Sequence, residues 1–450
     1  MDHLPGVAPL ASVQTFLSLD LVPMLAISLS AVSCALLGNF LVLRRQALMG
    51  DAISHAVLPG LVIAVLLTRS MSPWAIFLGA AVAASTTALL IELVKRLGRV
   101  EPGAAMGVVF SVLFALGVLL LEQAKGLDGV DLDPNCVLYG QPEYLTWWGA
   151  PDTLAGLWDL SVWGSAPTPV FTLGIVAVGV VLLVTVLFKE LRIASFDSAL
   201  ATTQGINAGV IHAVLMLAVA IATVASFEAV GSILVIAMLI TPAATARLLT
   251  DRLSVQLWLS AIIAAGSAVG GYALAANAQR VFAGVFETHG SLNAAGTITV
   301  FSAGVFALAV VASPSQGLIA GAYRRRQLAR RIVIEDLLGL LYRAWEQDPS
   351  QPSVTRADLR TRLRSRDAAD GSVHASTRLG YVLSVGDYLE LTEAGRRRAG
   401  EIVQRHRDWQ GYLVEEAGLR PDHAHDRAHG LEHLPIESRG SSKPGEAEGP

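Results

Sequence analysis

Charge is scarce in this chain. Only 16% of its 450 residues are Asp, Glu, Lys or Arg against 53% hydrophobic, and mean hydropathy is +0.53, a balance that soluble globular proteins do not keep. Cysteine is scarcer still. Cys34 stands in an apolar segment and Cys136 in a loop, so neither a disulfide framework nor a thiolate metal cluster is indicated. The phosphate-binding pattern Gly-x-x-x-x-Gly-Lys-Ser/Thr is missing, which excludes the common nucleotide loop. No nucleophile, base and orienting group recur at an informative spacing, which weighs against an enzyme. Met24, Met49, Met106, Met216 and Met238 form no spaced set, so copper is not suggested.

What is abundant is apolar sequence. Runs long enough to cross a hydrocarbon core of about 30 Å fall near 21–43, 50–68, 73–94, 104–122, 168–188, 208–226, 229–247, 255–275 and 295–313. The first lacks a positive leader and reads as a retained span rather than a cleaved signal. The region 208–247 is almost continuous, and its turn is expected at Ser226-Phe227-Glu228. With the N-terminus outside, Arg44, Arg45, Lys95, Arg96, Arg99, Lys189, Arg192, Arg247 and Arg252 fall inside, leaving Arg69, Lys125 and Arg280 outside. Nine against three agrees with the positive-inside rule and leaves the C-terminal tail in the cytoplasm. Dense small residues, as in 79–85 and 261–271, predict a close-packed bundle.

The basic residues change density along the chain: 12 of 33 Lys and Arg precede residue 315 and 21 follow it. The expected organisation is therefore a lead-in 1–19, a membrane domain 20–315, a winged-helix-like domain 325–400, a helical segment 401–436 and a disordered end 437–450. In fold class this is an all-α polytopic membrane protein of about nine transmembrane helices, with a small cytoplasmic α+β winged-helix-like domain. The wing is read from Tyr381–Ser384 and Tyr388–Leu391 as two short strands about Val385-Gly386-Asp387.

Two connections carry polar or aromatic residues. The loop 123–167, extracytoplasmic on this topology, holds Trp147, Trp148, Trp158 and Trp163 with several acids; an interfacial aromatic belt accounts for the tryptophans, and docking of a partner is the alternative. Between the fifth and sixth spans, Phe188 to Gly205 offers Ser195 or Asp197 as an N-cap and Gly205 as a stop. A short helix beneath the bundle follows, either an ordinary connection or a surface for another protein.

The densest polar patch within the apolar sequence is Gly50-Asp51-Ala52-Ile53-Ser54-His55-Ala56-Val57-Leu58-Pro59-Gly60. Asp51 and His55 are four apart and share a helical face. Ionisable groups in a bilayer are costly and face a protein interior, a pore or a partner. Asp51, His55, His212 and Glu228 are the membrane-region groups with donors suited to zinc, manganese or iron; helix-packing hydrogen bonds are the alternative use of each. In the tail, His406 is followed by His425, His429, Glu432 and His433, the last four spaced so that a nitrogen and oxygen ligand cluster is possible on one helix.

Met49 to Gly60, Phe188 to Ala201 with its Ser195-Phe196-Asp197 core, and Glu228 to Leu248 with Thr241-Pro242-Ala243-Ala244-Thr245 occur in one order. Together they resemble the membrane permease subunits of the ABC transporters that import manganese, zinc and iron, the ABC-3 family, over about residues 16–315. The resemblance implies a second permease subunit, as a homodimer or heterodimer, a cytoplasmic ABC ATPase, and an extracytoplasmic metal-binding lipoprotein. It makes 195–205 the coupling surface for the ATPase, and Asp51 and His55 the favoured residues of a metal pathway. The segment Val130 to Gly140 is similar to the manganese and iron branch. The chain itself is expected to be non-catalytic and to hold no permanent cofactor, with manganese, iron or zinc as substrate.

From the wing through Leu391-Thr392-Glu393-Ala394-Gly395, Arg405-His406-Arg407 and His425 to His433, the tail resembles the iron- and manganese-dependent repressors. That likeness implies metal ligands at His406, His425, His429, Glu432 and His433, with Gln410 where the family has glutamate and His429 in place of a cysteine or glutamate. The divalent ion would then also be a regulatory ligand of the tail, or the tail would be a degenerate domain that stabilises the permease. DNA binding by a membrane-tethered domain is disfavoured. The alternatives to an importer are a metal-regulated channel or exporter, and a membrane-tethered metal-responsive regulator. The position of Asp51 and His55 at the cytoplasmic start of the second span suits the inner end of a pathway.

Overall fold

The computed structural model describes residues 13–69, 73–124, 142, 145–277, 293–314, 316–348, 354–362, 366–415 and 420. It divides into two compact units, Met1–Ala320 and Gly321–Pro450.

Among the described residues of the first unit, nine helical stretches are long and apolar enough to cross a membrane, in register with the nine apolar runs. Helix α1 (Leu21–Leu43) is the axis, with Leu37, Phe40 and Leu41 fully buried. The second run is split into α2 (Met49–Ala56) and α3 (Leu58–Thr68). Then come α4 (Pro73–Gly98), α5 (Pro102–Ala124) and α6 (Thr168–Val186), a corner of two short helices, α7 (Phe188–Phe196) and α8 (Ser198–Thr203), and the spans α9 (Ala208–Val230), α10 (Ser232–Leu249), α11 (Leu253–Ala276) and α12 (Ala294–Ala312). Helix α1 packs on α6, α9, α10 and α11. Large apolar side chains also cover the outside, for example Leu78, Leu89, Ile175 and Val178. Helices apolar on every side suit a hydrocarbon solvent.

The breaks between helices have local causes. Pro59 stands in the first turn of α3, where its missing N–H and fixed φ are tolerated, so the expected single span 50–68 becomes two helices meeting at Val57. A Cβ on Gly60 would strike the Gly79 carbonyl, and one on Gly79 the Gly60 carbonyl; this pair lets α3 and α4 touch backbone to backbone. The turn expected at 226–228 is displaced. Helix α9 continues through those residues and ends at Gly231, whose φ of 77° and ψ of 165° are open to glycine but costly for other residues.

The four loop tryptophans part company. Trp147 is buried, donates its indole N–H to Ser165 Oγ at 2.9 Å and lies against Trp163 with ring centroids 5.1 Å apart, whereas Trp148 and Trp158 are almost wholly exposed.

The second unit begins within helix α13 (Leu318–Gln347), which is followed by β1 (Val354–Thr355), α14 (Arg356–Arg362), α15 (Arg366–Arg378), β2 (Val382–Val385), β3 (Tyr388–Leu391) and α16 (Glu393–Glu415). The expected two-stranded wing is a three-stranded antiparallel sheet of order β1-β3-β2, in which Val354 pairs with Leu389. The third strand is only two residues long, too short for a periodic signal. Leu337, Leu341, Val382, Leu389, Ala399 and Ile402 form its core. Glu335 is buried on α13 and bridges Arg331 of its own helix at 3.0 Å and Arg398 of α16 at 3.4 Å.

Candidate functional site

Helix α2 presents the first candidate pair. Asp51 stands in its first turn and His55 in its last, each at the end whose helix dipole favours its charge. His55 Nε2 and Asp51 Oδ1 are 3.3 Å apart, with the imidazole 26% and the carboxylate 43% exposed. The ring rests on Phe110 and Phe114 of α5, with centroids 5.4 and 5.8 Å away. The phenylalanines hold the imidazole on one side while the carboxylate stays open, so the pair presents a hard oxygen and an imidazole nitrogen, donor types that suit a divalent cation.

His212 does not join this pair. It lies on α9 in a second cluster, where its Nδ1 accepts from Arg44 Nη1 at 2.8 Å. Arginine has only donors, so Nδ1 carries the lone pair and the ring proton sits on Nε2, which faces Glu92 Oε2 of α4 at 3.6 Å. Glu92 also pairs with Lys95 at 3.0 Å. Arg44 Nε donates to Ser195 Oγ of α7 at 3.1 Å. Arg44 stands just past the end of α1, where burial pushes its guanidinium below the usual value, although arginine remains charged. Sequence reasoning singled out His212 but not Arg44 or Glu92. An acid inside the apolar run 73–94, three before a lysine, was the available signal for Glu92.

Glu228 is in the last turn of α9, and its side chain lies outside the described residues. So do His425, His429, Glu432 and His433. His406 is on α16 and buried, 3% exposed, within the second unit. No group of three or more His, Cys, Asp or Glu able to hold a metal is assembled among the described residues.

A third polar cluster is wholly inside the first unit. Asn39 of α1 donates to Ser260 Oγ at 2.6 Å and accepts from Gln256 Nε2 at 2.8 Å, both on α11. All three are buried. With both amide ends of Asn39 engaged by α11, its role is to fix α1 on that helix.

The corner α7–α8 forms as its polar residues require. Asp197 adopts an extended conformation and its carboxylate accepts from the N–H groups of Ala199 and Leu200, starting α8. The chain leaves α8 through Gly205 at φ 77°. Leu200 and Thr203 are exposed.

The model for the ABC 3 transport family matches residues 20–142 and 163–312, and that for the iron dependent repressor metal binding and dimerisation domain matches residues 392–436. The chain is 41% identical over 291 residues to the manganese transport system membrane protein MntD of Bacillus subtilis, covering 65% of this chain and 91% of that protein. It is 38% identical over 308 residues to the zinc transport system membrane protein TroD of Treponema pallidum, covering 68% and 76%. Among solved structures, PsaBC from Streptococcus pneumoniae in complex with Fab is similar with a TM-score of 0.51 and 28% identity, over 66% of this chain and 92% of that one.

Proposed function

The chain belongs to the ABC 3 transport family, and from that premise we propose that it forms the translocation pathway of an importer for divalent transition metal ions, powered by a separate ATPase. Manganese is the favoured substrate, because MntD and several further relatives carry manganese in their names; iron and zinc are the alternatives, and TroD is named for zinc. The subunit itself is non-catalytic. Its partners are the ATPase, an extracytoplasmic metal-binding lipoprotein and a second permease subunit. The N-terminus is outside and the C-terminus cytoplasmic, in the cytoplasmic membrane of a bacterium.

The observation that carries the pathway is the Asp51–His55 pair, standing 3.3 Å apart where the second span is broken. Two donors are fewer than a tetrahedral or octahedral ion takes. The pair therefore supports brief coordination in transit, completed by water or by the second permease subunit. Glu228 belongs to the same proposed pathway. Asp51→Asn keeps shape and removes the charge; His55→Ala removes the imidazole. In proteoliposomes holding permease, ATPase and binding protein, each is expected to lower manganese uptake about tenfold or more, as loss of a positioned ligand contact does. Unchanged uptake by both variants would return the pair to helix packing.

The tail supports a second role for the metal. The 392–436 match favours a cytoplasmic sensor in which His406, His425, His429, Glu432 and His433 bind the ion when it is plentiful and slow further uptake.

A further inference from the structure

We propose that Arg44 is a positioning residue that carries movement of the α7–α8 corner to helix α2, and so to Asp51 and His55. It rests on the reading of α8 as the surface that receives the ATPase. The geometry comes from one guanidinium, just past the end of α1, that joins α7 to α9. Ser195, on the last turn of α7, is two residues from the Asp197 cap that starts α8. Arg44 Nε holds its hydroxyl at 3.1 Å. The other side of the guanidinium donates to His212 Nδ1 of α9 at 2.8 Å, and His212 Nε2 faces Glu92 of α4 at 3.6 Å.

The backbone beneath Arg44 is stiff. Arg45 N–H donates to the Val42 carbonyl and Gln46 N–H to the Leu41 carbonyl, the paired closing bonds of a Schellman turn, with Arg45 at φ 57°. Met49, which opens α2, bonds back to Gln46. A displacement of Ser195 is therefore applied to a short, closed corner that leads directly into the helix bearing the carboxylate and imidazole. Arginine suits the task because its planar fork reaches two acceptors at once; a lysine keeps the charge and loses the fork.

The test uses the full permease with its ATPase and binding protein in proteoliposomes, and reads ATPase co-purification, ATP hydrolysis and manganese carried per ATP. Arg44→Lys is expected to retain the ATPase and to hydrolyse ATP within about twofold of wild type. Manganese per ATP should fall about tenfold in Arg44→Lys and about threefold in Ser195→Ala, the scale of ordinary coupling energies. The double variant should be no worse than Arg44→Lys alone, since both remove one connection. Unchanged manganese per ATP in Arg44→Lys, or hydrolysis and uptake falling in proportion in both variants, overturns the proposal. Failure of the wild-type chain to bind any ATPase overturns the importer reading and takes this proposal with it.

Discussion

Among individual residues, the consequential ones are those whose polar atoms have nowhere else to turn. Asn39 satisfies Ser260 and Gln256 from inside the bundle, and Gln256 Oε1 has no hydrogen-bond partner among the described residues. Replacing Asn39 by leucine strips the Gln256 amide of its partner while leaving it buried, whereas Ser260 keeps its bond to the Leu257 carbonyl. Asn39→Leu is expected to cost about 1–3 kcal/mol, the penalty of stranded buried polar groups, read as a lower melting temperature of the purified chain. Asn39→Leu with Gln256→Leu should recover part of that loss, because no orphaned amide then remains. Asp51 and His55 could be read from the sequence, since one turn of helix brings them together whatever surrounds them. Arg44, Glu92, Ser195 and His212 could not be read as a set: Arg44 and His212 are separated by 168 positions, and no local period joins them.

Among the elements, the ends of helices are decided by backbone constraints more than by polarity. The polar Glu228 suggested a turn at 226–228, yet one carboxylate does not prevent a helix from continuing, and α9 runs on to the residue with a glycine-only backbone. Gly231→Ala is therefore expected to lower stability by about 1–3 kcal/mol through backbone strain. Gly174→Ala on α6, where an added Cβ meets nothing, should leave stability unchanged or raise it slightly. Thermal melting of both variants in the same detergent checks the pair. The three non-glycine residues with positive φ are Arg45, Arg69 and Arg99 among the described residues, and each follows the end of a helix. A cation there faces the negative end of the helix dipole, which accompanies the strained backbone. In the second unit, Thr355 caps α14 by accepting from the Asp358 N–H and donating to its carboxylate, so this helix start too is set locally.

For the whole molecule, the change in charge density near residue 315 coincides with the division between the two compact units at Ala320 and Gly321. The second unit has its own core about Leu337, Leu341 and Leu389, so it can be prepared as a fragment. Manganese titrated into residues 321–450 is expected to bind in the micromolar range, and His425→Ala or His429→Ala to weaken binding about tenfold, by calorimetry. Absence of binding by the wild-type fragment would leave the unit a structural appendage of the permease.

The sequence by itself determined the solvent of each part. Nine long apolar runs can satisfy their backbones in lipid only as helices, and a charged, amphipathic tail cannot remain there. It also determined the Asp51–His55 pair and the motifs of the family resemblance, because each is carried by residues close together in the chain, and it narrowed the α8 cap to Ser195 or Asp197, between which the structure chose Asp197. Tertiary structure alone decided which helices surround α1, that Trp147 is buried while Trp148 is exposed, and that Arg44 reaches Ser195 and His212. In helices apolar on every side no hydrophobic stripe marks the inward face. Close approaches such as Gly60 on Gly79, and buried polar contacts between distant segments, must choose it instead.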